Sequence, residues 1–131
     1  MRDNEWLEQT LKDIWEQYFH DVEKVNDIEI KFGRKSKRRL GSISLIDNKI
    51  SRITLTGHYK DKTIPDYVVM DTIMHELVHY THGFSSKHKR KYSHPHKGGI
   101  IKKELVKRGV FEISRNSRAW LLDNWHSYVN S

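Results

Sequence analysis

The stretch His75-Glu76-Leu77-Val78-His79 concentrates the chemistry of this chain. Two histidines four residues apart lie on one face of a helix, about one turn from each other, so both rings can reach one metal ion. The glutamate beside the first histidine then stands next to the ion, where it can take a proton from a bound water. A catalytic zinc of this kind takes three protein ligands and leaves one position open for water. The chain has no cysteine, which excludes disulfides and a cysteine-ligated zinc ribbon, so any zinc is held by histidine and carboxylate.

Spacing sorts the options for the third ligand. Six of the nine histidines fall between residues 75 and 96. A metzincin places glycine three residues and histidine six residues past the second histidine. Those positions hold His82 and Ser85, so that pattern is rejected. A glutamate on a later helix is the second option, and Glu104 is the one acid between Glu76 and Glu112. The third option is a histidine at the start of that helix: His96, with His94 as its competitor. His82, one turn past His79, reads as a partly exposed polar residue at a helix end.

Flanking elements must carry these residues. Residues 4 to 25 show apolar positions at three- and four-residue spacing (Leu7, Leu11, Ile14, Trp15, Tyr18, Val22, Val25), which predicts a first helix capped by Asp3 or Asn4. Ile28-Ile30-Phe32, Ile43-Leu45 and Ile53-Leu55 alternate with polar residues and predict three short strands. Asp47-Asn48 marks the turn between the second and third. These strands are expected to form a small, mainly antiparallel sheet with helices on one face. Thr63-Ile64-Pro65-Asp66 is the expected start of the helix that bears the motif, and Gly83 its stop. Ser93 and Pro95 predict the start of the next helix, which ends at Gly109. Ser117 to Val129 predicts the last. The fold class is therefore α+β, with residues 1–131 read as one domain.

Charge is uneven along the chain. Residues 1–30 carry nine acids and three bases, a net of −6, and the rest carry eight acids and twenty-one bases, a net of +13, giving +7 in all. Lys31 to Arg39 holds six bases and no acid, and Lys87 to Lys103 holds seven and no acid. Such blocks attract phosphate backbones, with solvated surface as the plain alternative. No run is apolar enough to span a membrane, so no membrane partner is expected. The opening Met1-Arg2-Asp3-Asn4-Glu5 is unlike a secretory leader and predicts an intracellular, cytoplasmic location.

The order of the parts resembles the SprT-like zinc metallopeptidases, a zincin family. The resemblance rests on Leu40-Gly41-Ser42-Ile43, Ile53-Thr54-Leu55-Thr56, the motif itself, and His96-Lys97-Gly98-Gly99-Ile100. It covers roughly residues 40–108. Gly98 and Ile100 stand in place of the family's glycine-then-aromatic pattern. The resemblance implies a minimal zincin-like fold, His75, His79 and His96 as zinc ligands, and Glu76 as general base in peptide hydrolysis. It also implies a substrate extended along an edge strand, for which Ser51 to Gly57 is the expected segment. DNA-associated proteins are the implied substrates, and the blocks 31–39 and 87–103 suit that partner. A further donor is expected to stabilise the oxyanion, with Tyr92, His94 and His82 as the alternatives. The competing reading is a non-catalytic nucleic-acid-binding module stapled by zinc. It expects a closed four-ligand site that includes both His94 and His96.

Overall fold

The computed structural model describes all 131 residues. Its elements run α1 (Asn4–Tyr18), β1 (Ile28–Phe32), β2 (Gly41–Ile46), β3 (Ile50–Leu55), a 3-10 turn (Gly57–Lys60), α2 (Asp66–Thr81), a second 3-10 turn (Lys97–Gly99), α3 (Ile100–Lys107) and α4 (Phe111–Val129). The fold is α+β, four helices and a small three-stranded sheet.

Strand order is β1-β3-β2, and the sheet is mixed. β3 runs parallel to β1 and antiparallel to β2. The expectation of a mainly antiparallel sheet is corrected here. The link between β1 and β2 crosses the end of the sheet instead of making a hairpin, and leaves a gap that β3 fills. The β2–β3 hairpin is closed as its residues require. Asp47 and Asn48 both take positive φ, 52° and 57°, and the Lys49 N–H donates to the Ile46 carbonyl at 2.9 Å. Such a turn matches the right-handed twist of paired strands. Since β3 is central, Ser51 to Gly57 cannot be the edge on which a peptide adds. The free edges belong to β1 and β2.

The core lies on one face of the sheet. Ser51, Ile53 and Leu55 are buried, while Arg52 and Thr54 turn to the wetter face. α2 covers the buried face with Val69, Ile73, Leu77 and Tyr80, and α1 packs on β1 through Leu7, Leu11 and Ile14. Gly41 lets β2 approach α2. A Cβ there would stand 2.6 Å from Thr72 Cγ2 and 3.2 Å from Leu55 Cδ2. The N-terminus is tied down by Arg2, whose buried guanidinium donates to the carbonyls of Tyr59, Asp61 and Ile64 and to Asp66.

Element ends differ from the sequence expectation for local reasons. α1 stops at Tyr18, because Phe19 leaves helical geometry at the cap. Val22 still reaches the core, through a turn held by Trp15 Nε1 donating to the Val22 carbonyl. α2 begins at Asp66 with Pro65 at its cap, and no side chain caps it, so Thr63 is not the cap. α3 begins at Ile100 and not near Pro95, because Gly98 and Gly99 take φ of 77° and 67°, which an α-helix excludes. α4 begins at Phe111, earlier than Ser117, directly after the turn made by Gly109. No helix is long and apolar enough to cross a membrane.

Ile53 is fully buried in the central strand and paired on both sides. Ile53→Ala is expected to cost about 2–5 kcal/mol by lost transfer energy and a residual cavity. Urea unfolding measures this, and a near-zero change would contradict the packing described.

Candidate metal centre

The last two turns of α2 present His75 and His79 on one side, and the chain returns seventeen residues later to bring His96 against them. The ligand atoms of these three histidines all lie within 4.8 Å of one another. His75 Nε2 and His96 Nε2 are 3.3 Å apart. The His79 ring stands edge-on to both others, with centroids 4.8 Å from His75 and 4.6 Å from His96. His79 is buried, His75 half-buried and His96 exposed at the rim.

Desolvation sets the charge state of the first two. Burial, reinforced by the neighbouring His96, pushes His75 down to about 4. Burial, with His75, His96 and His82 around it, does the same to His79. Both rings are therefore neutral at pH 7 and keep a lone pair. The His79 Nδ1 atom is buried with no hydrogen-bond partner, as are His82 Nδ1 and Ser117 Oγ, a condition that costs free energy. Three convergent imidazoles are a donor set that suits the later divalent transition metals. The residues fit a metal ion.

Glu76 follows His75 in the helix and is buried, with 5% of its surface exposed. Burial lifts its carboxyl to about 7, against an opposing pull from the Arg39 charge. Its Oε2 lies 3.5 Å from where a Cβ on Gly41 would stand, so the start of β2 borders this carboxyl.

The other expected site residues lie elsewhere. His94 is exposed and outside the cluster. Glu104 is outside the cluster and is engaged by other partners: His82 Nε2 meets its Oε1 at 2.9 Å and Arg108 Nε donates to its Oε2 at 2.9 Å. His82 is not the partly exposed residue that the sequence suggests. It is 1% exposed, with Nε2 engaged by Glu104 and Nδ1 buried without a partner. Tyr92 packs its ring 4.9 Å from that of His82 and stays 43% exposed.

The pair His82–Glu104 belongs to a chain of contacts that sequence spacing does not reveal. Arg108 continues it, donating to the Tyr18 carbonyl at 2.9 Å and to Asp21 Oδ1 at 2.6 Å. Its guanidinium lies 4.3 Å from the Phe19 ring centroid. This chain fastens α3, the helix that follows His96, to the end of α2 and to the end of α1. The partners are 22 and 87 residues apart in sequence, so no local pattern could have shown them. Gly83 makes room for a different contact, the passing backbone of residues 89 and 90: its φ is 83°, and a Cβ there would sit 2.6 Å from Arg90 Cα.

No protein-family model, no curated protein and no solved structure matches this chain.

Arg108 is nearly enclosed, and removing it strands Glu104 and His82 in the interior. Arg108→Met is expected to cost about 3–5 kcal/mol at pH 7, the usual effect of breaking a buried pair. The pH dependence has a definite sign. The Arg108 hydrogen bond holds Asp21 below the ordinary carboxylate range. Burial alone would raise Glu104, but its bonds to His82 and Arg108 outweigh this and lower it. Folded values below unfolded ones give stability that is complete above the unfolded carboxylate pKa of about 4 and is lost as pH falls through the folded values. Urea midpoints from pH 7 downward should show that loss in the wild type and a shallower one in Arg108→Met.

Proposed function

We propose that the chain is a zinc-dependent metallopeptidase of the SprT-like kind. The observation that carries this reading is a cluster of three imidazoles, two of them on the helix that also bears the buried carboxyl of Glu76, next in sequence to His75. A structural staple has no use for that carboxyl. The cluster also gathers three rings and not four, and His94 is outside it, which favours an open site over the closed site of a nucleic-acid-binding module.

Zinc, when bound, supplies a Lewis acid that acidifies water and polarises a peptide carbonyl. The chain's own residues do the rest. His75 and His79 offer neutral rings at pH 7, so little proton loss accompanies binding. Glu76 is the general base. A carboxyl lifted to about 7 takes a proton and returns it to the leaving amine with little mismatch near neutral pH. The free edge of β2 aligns the substrate through main-chain hydrogen bonds, a mode that tolerates varied side chains. Gly41 opens that strand against Glu76, so a peptide on β2 would lie beside the base.

On this reading the substrates are proteins associated with DNA. The resemblance to the SprT-like group implies it, and the blocks 31–39 and 87–103, with six and seven bases, supply surface that attracts phosphate. The second block contains His96 itself.

Glu76→Gln removes the base while keeping its shape. It should retain zinc and lower hydrolysis of an unstructured protein substrate by about 100-fold or more. Unchanged turnover in that variant would overturn the mechanism.

A further inference from the structure

The link between β1 and β2 is irregular, yet its backbone is held along its length. Gly33 N–H donates to the Leu55 carbonyl at 2.8 Å, Gly57 N–H to the Arg34 carbonyl at 3.0 Å, and Thr56 N–H to the Leu40 carbonyl at 2.8 Å. Thr56 Oγ1 accepts from Ser36 N–H and donates to the Ser36 carbonyl, both at 2.9 Å. Ser36 Oγ accepts from Arg39 N–H at 3.1 Å, and Trp125 Nε1 of α4 donates to the Lys37 carbonyl at 2.7 Å. Close packing reinforces these bonds. A Cβ on Gly57 would stand 2.7 Å from the Gly33 carbonyl oxygen, and one on Gly33 would stand 2.7 Å from Thr54 Cγ2. A merely solvated basic loop has no need of this frame.

The frame borders an open cavity of about 220 Å³ on the wet face of the sheet. Arg34, Arg39 and the hydroxyl residues Ser36, Ser42, Thr54 and Thr56 line it, and no acid does. Neither guanidinium lies within ion-pair distance of an acid, although the charge of Arg39 also acts on Glu76, whereas Glu29, an acid on the same face of the sheet, is paired with Arg52.

We propose that this cavity binds a phosphate monoester, and that the ester it serves is a phosphorylated side chain of a peptide lying along β2. A phosphate monoester carries a charge of about −1.5 to −2 at pH 7 and offers three acceptor oxygens. Two unpaired guanidinium forks match that charge and geometry. A carboxylate or a nucleic-acid diester brings only one charge per group. Ser42 belongs to β2 itself, and side chains of a strand added to that edge alternate between faces. Every second side chain would therefore fall on the face that holds Arg34 and Arg39. The peptide part of this proposal rests on the peptidase reading, but the phosphate site does not.

The test is an NMR titration of the full ¹⁵N-labelled chain with four probes. These are inorganic phosphate, a phosphoserine peptide, the same peptide unphosphorylated, and a short single-stranded oligonucleotide. Phosphate should give saturable shifts confined to Gly33–Ser36, Arg39, Ser42 and Thr54. The phosphopeptide should bind about tenfold or more tighter than its unphosphorylated form, the change expected for charge-assisted hydrogen bonds. The double variant R34Q/R39Q should lose that preference, and K87Q/K89Q should keep it. No saturation, or shifts spread equally over Lys87–Lys103, would overturn the site. An oligonucleotide that shifts the same amides while the phosphopeptide does not would overturn the peptide assignment. The readout is binding and not turnover, so its failure is separate from any failure of hydrolysis.

Discussion

Desolvation along α2 is the constraint on which the rest depends. The helix lies against the sheet with nearly every residue from Thr72 to Thr81 buried, so its polar side chains lose water whichever way they face. The imidazoles of His75 and His79 stay neutral, and the Glu76 carboxyl rises to about 7. One physical cause thus shifts three groups, each in the direction that disfavours its charged form. Neutral rings keep a lone pair for a metal ion, and a carboxyl near 7 can exchange a proton readily around neutral pH. Exposed on a solvated helix, the same five-residue motif would hold charged imidazoles at mildly acidic pH and a permanently ionised glutamate.

An interior of this kind favours polar groups that meet one another. His82 Nε2 and Glu104 meet each other, and Arg108 extends the chain to Asp21 near the surface. The arrangement fixes α3 at its C-terminal half, while His96 approaches α2 ahead of its first turn. The long irregular segment between α2 and α3 is therefore held at both ends, although most of its residues are exposed.

The sequence made legible what is local. Residues four apart on a helix share a face, so His75 and His79 could be paired on paper. The strands were visible from alternation, the hairpin from Asp47-Asn48, and two helix stops from Gly83 and Gly109. What depends on contacts distant in sequence was not legible. Strand order is such a property, and with it went the edge strand: Ser51 to Gly57 reads as well for an edge as for the centre. The burial of His82 depends on a glutamate 22 residues away. Val22 kept helical spacing although α1 had already ended, because a turn can deliver a side chain to the same core. Pro95 signalled a helix start that Gly98 and Gly99 deferred. For the third ring, spacing left His96, His94 and Glu104 open. The folded chain brings His96 to the cluster, leaves His94 in solvent and commits Glu104 to other partners.

The claim that three histidines hold an ion beside Glu76 is tested most directly by metal content per chain. Protein purified without chelator would be analysed for the wild type, His96→Ala and His94→Ala. The account predicts a single zinc per chain in the wild type and in His94→Ala, with sharp loss in His96→Ala. A wild type that takes up no zinc when supplied with it, or a His96→Ala variant that keeps its full complement, would contradict it.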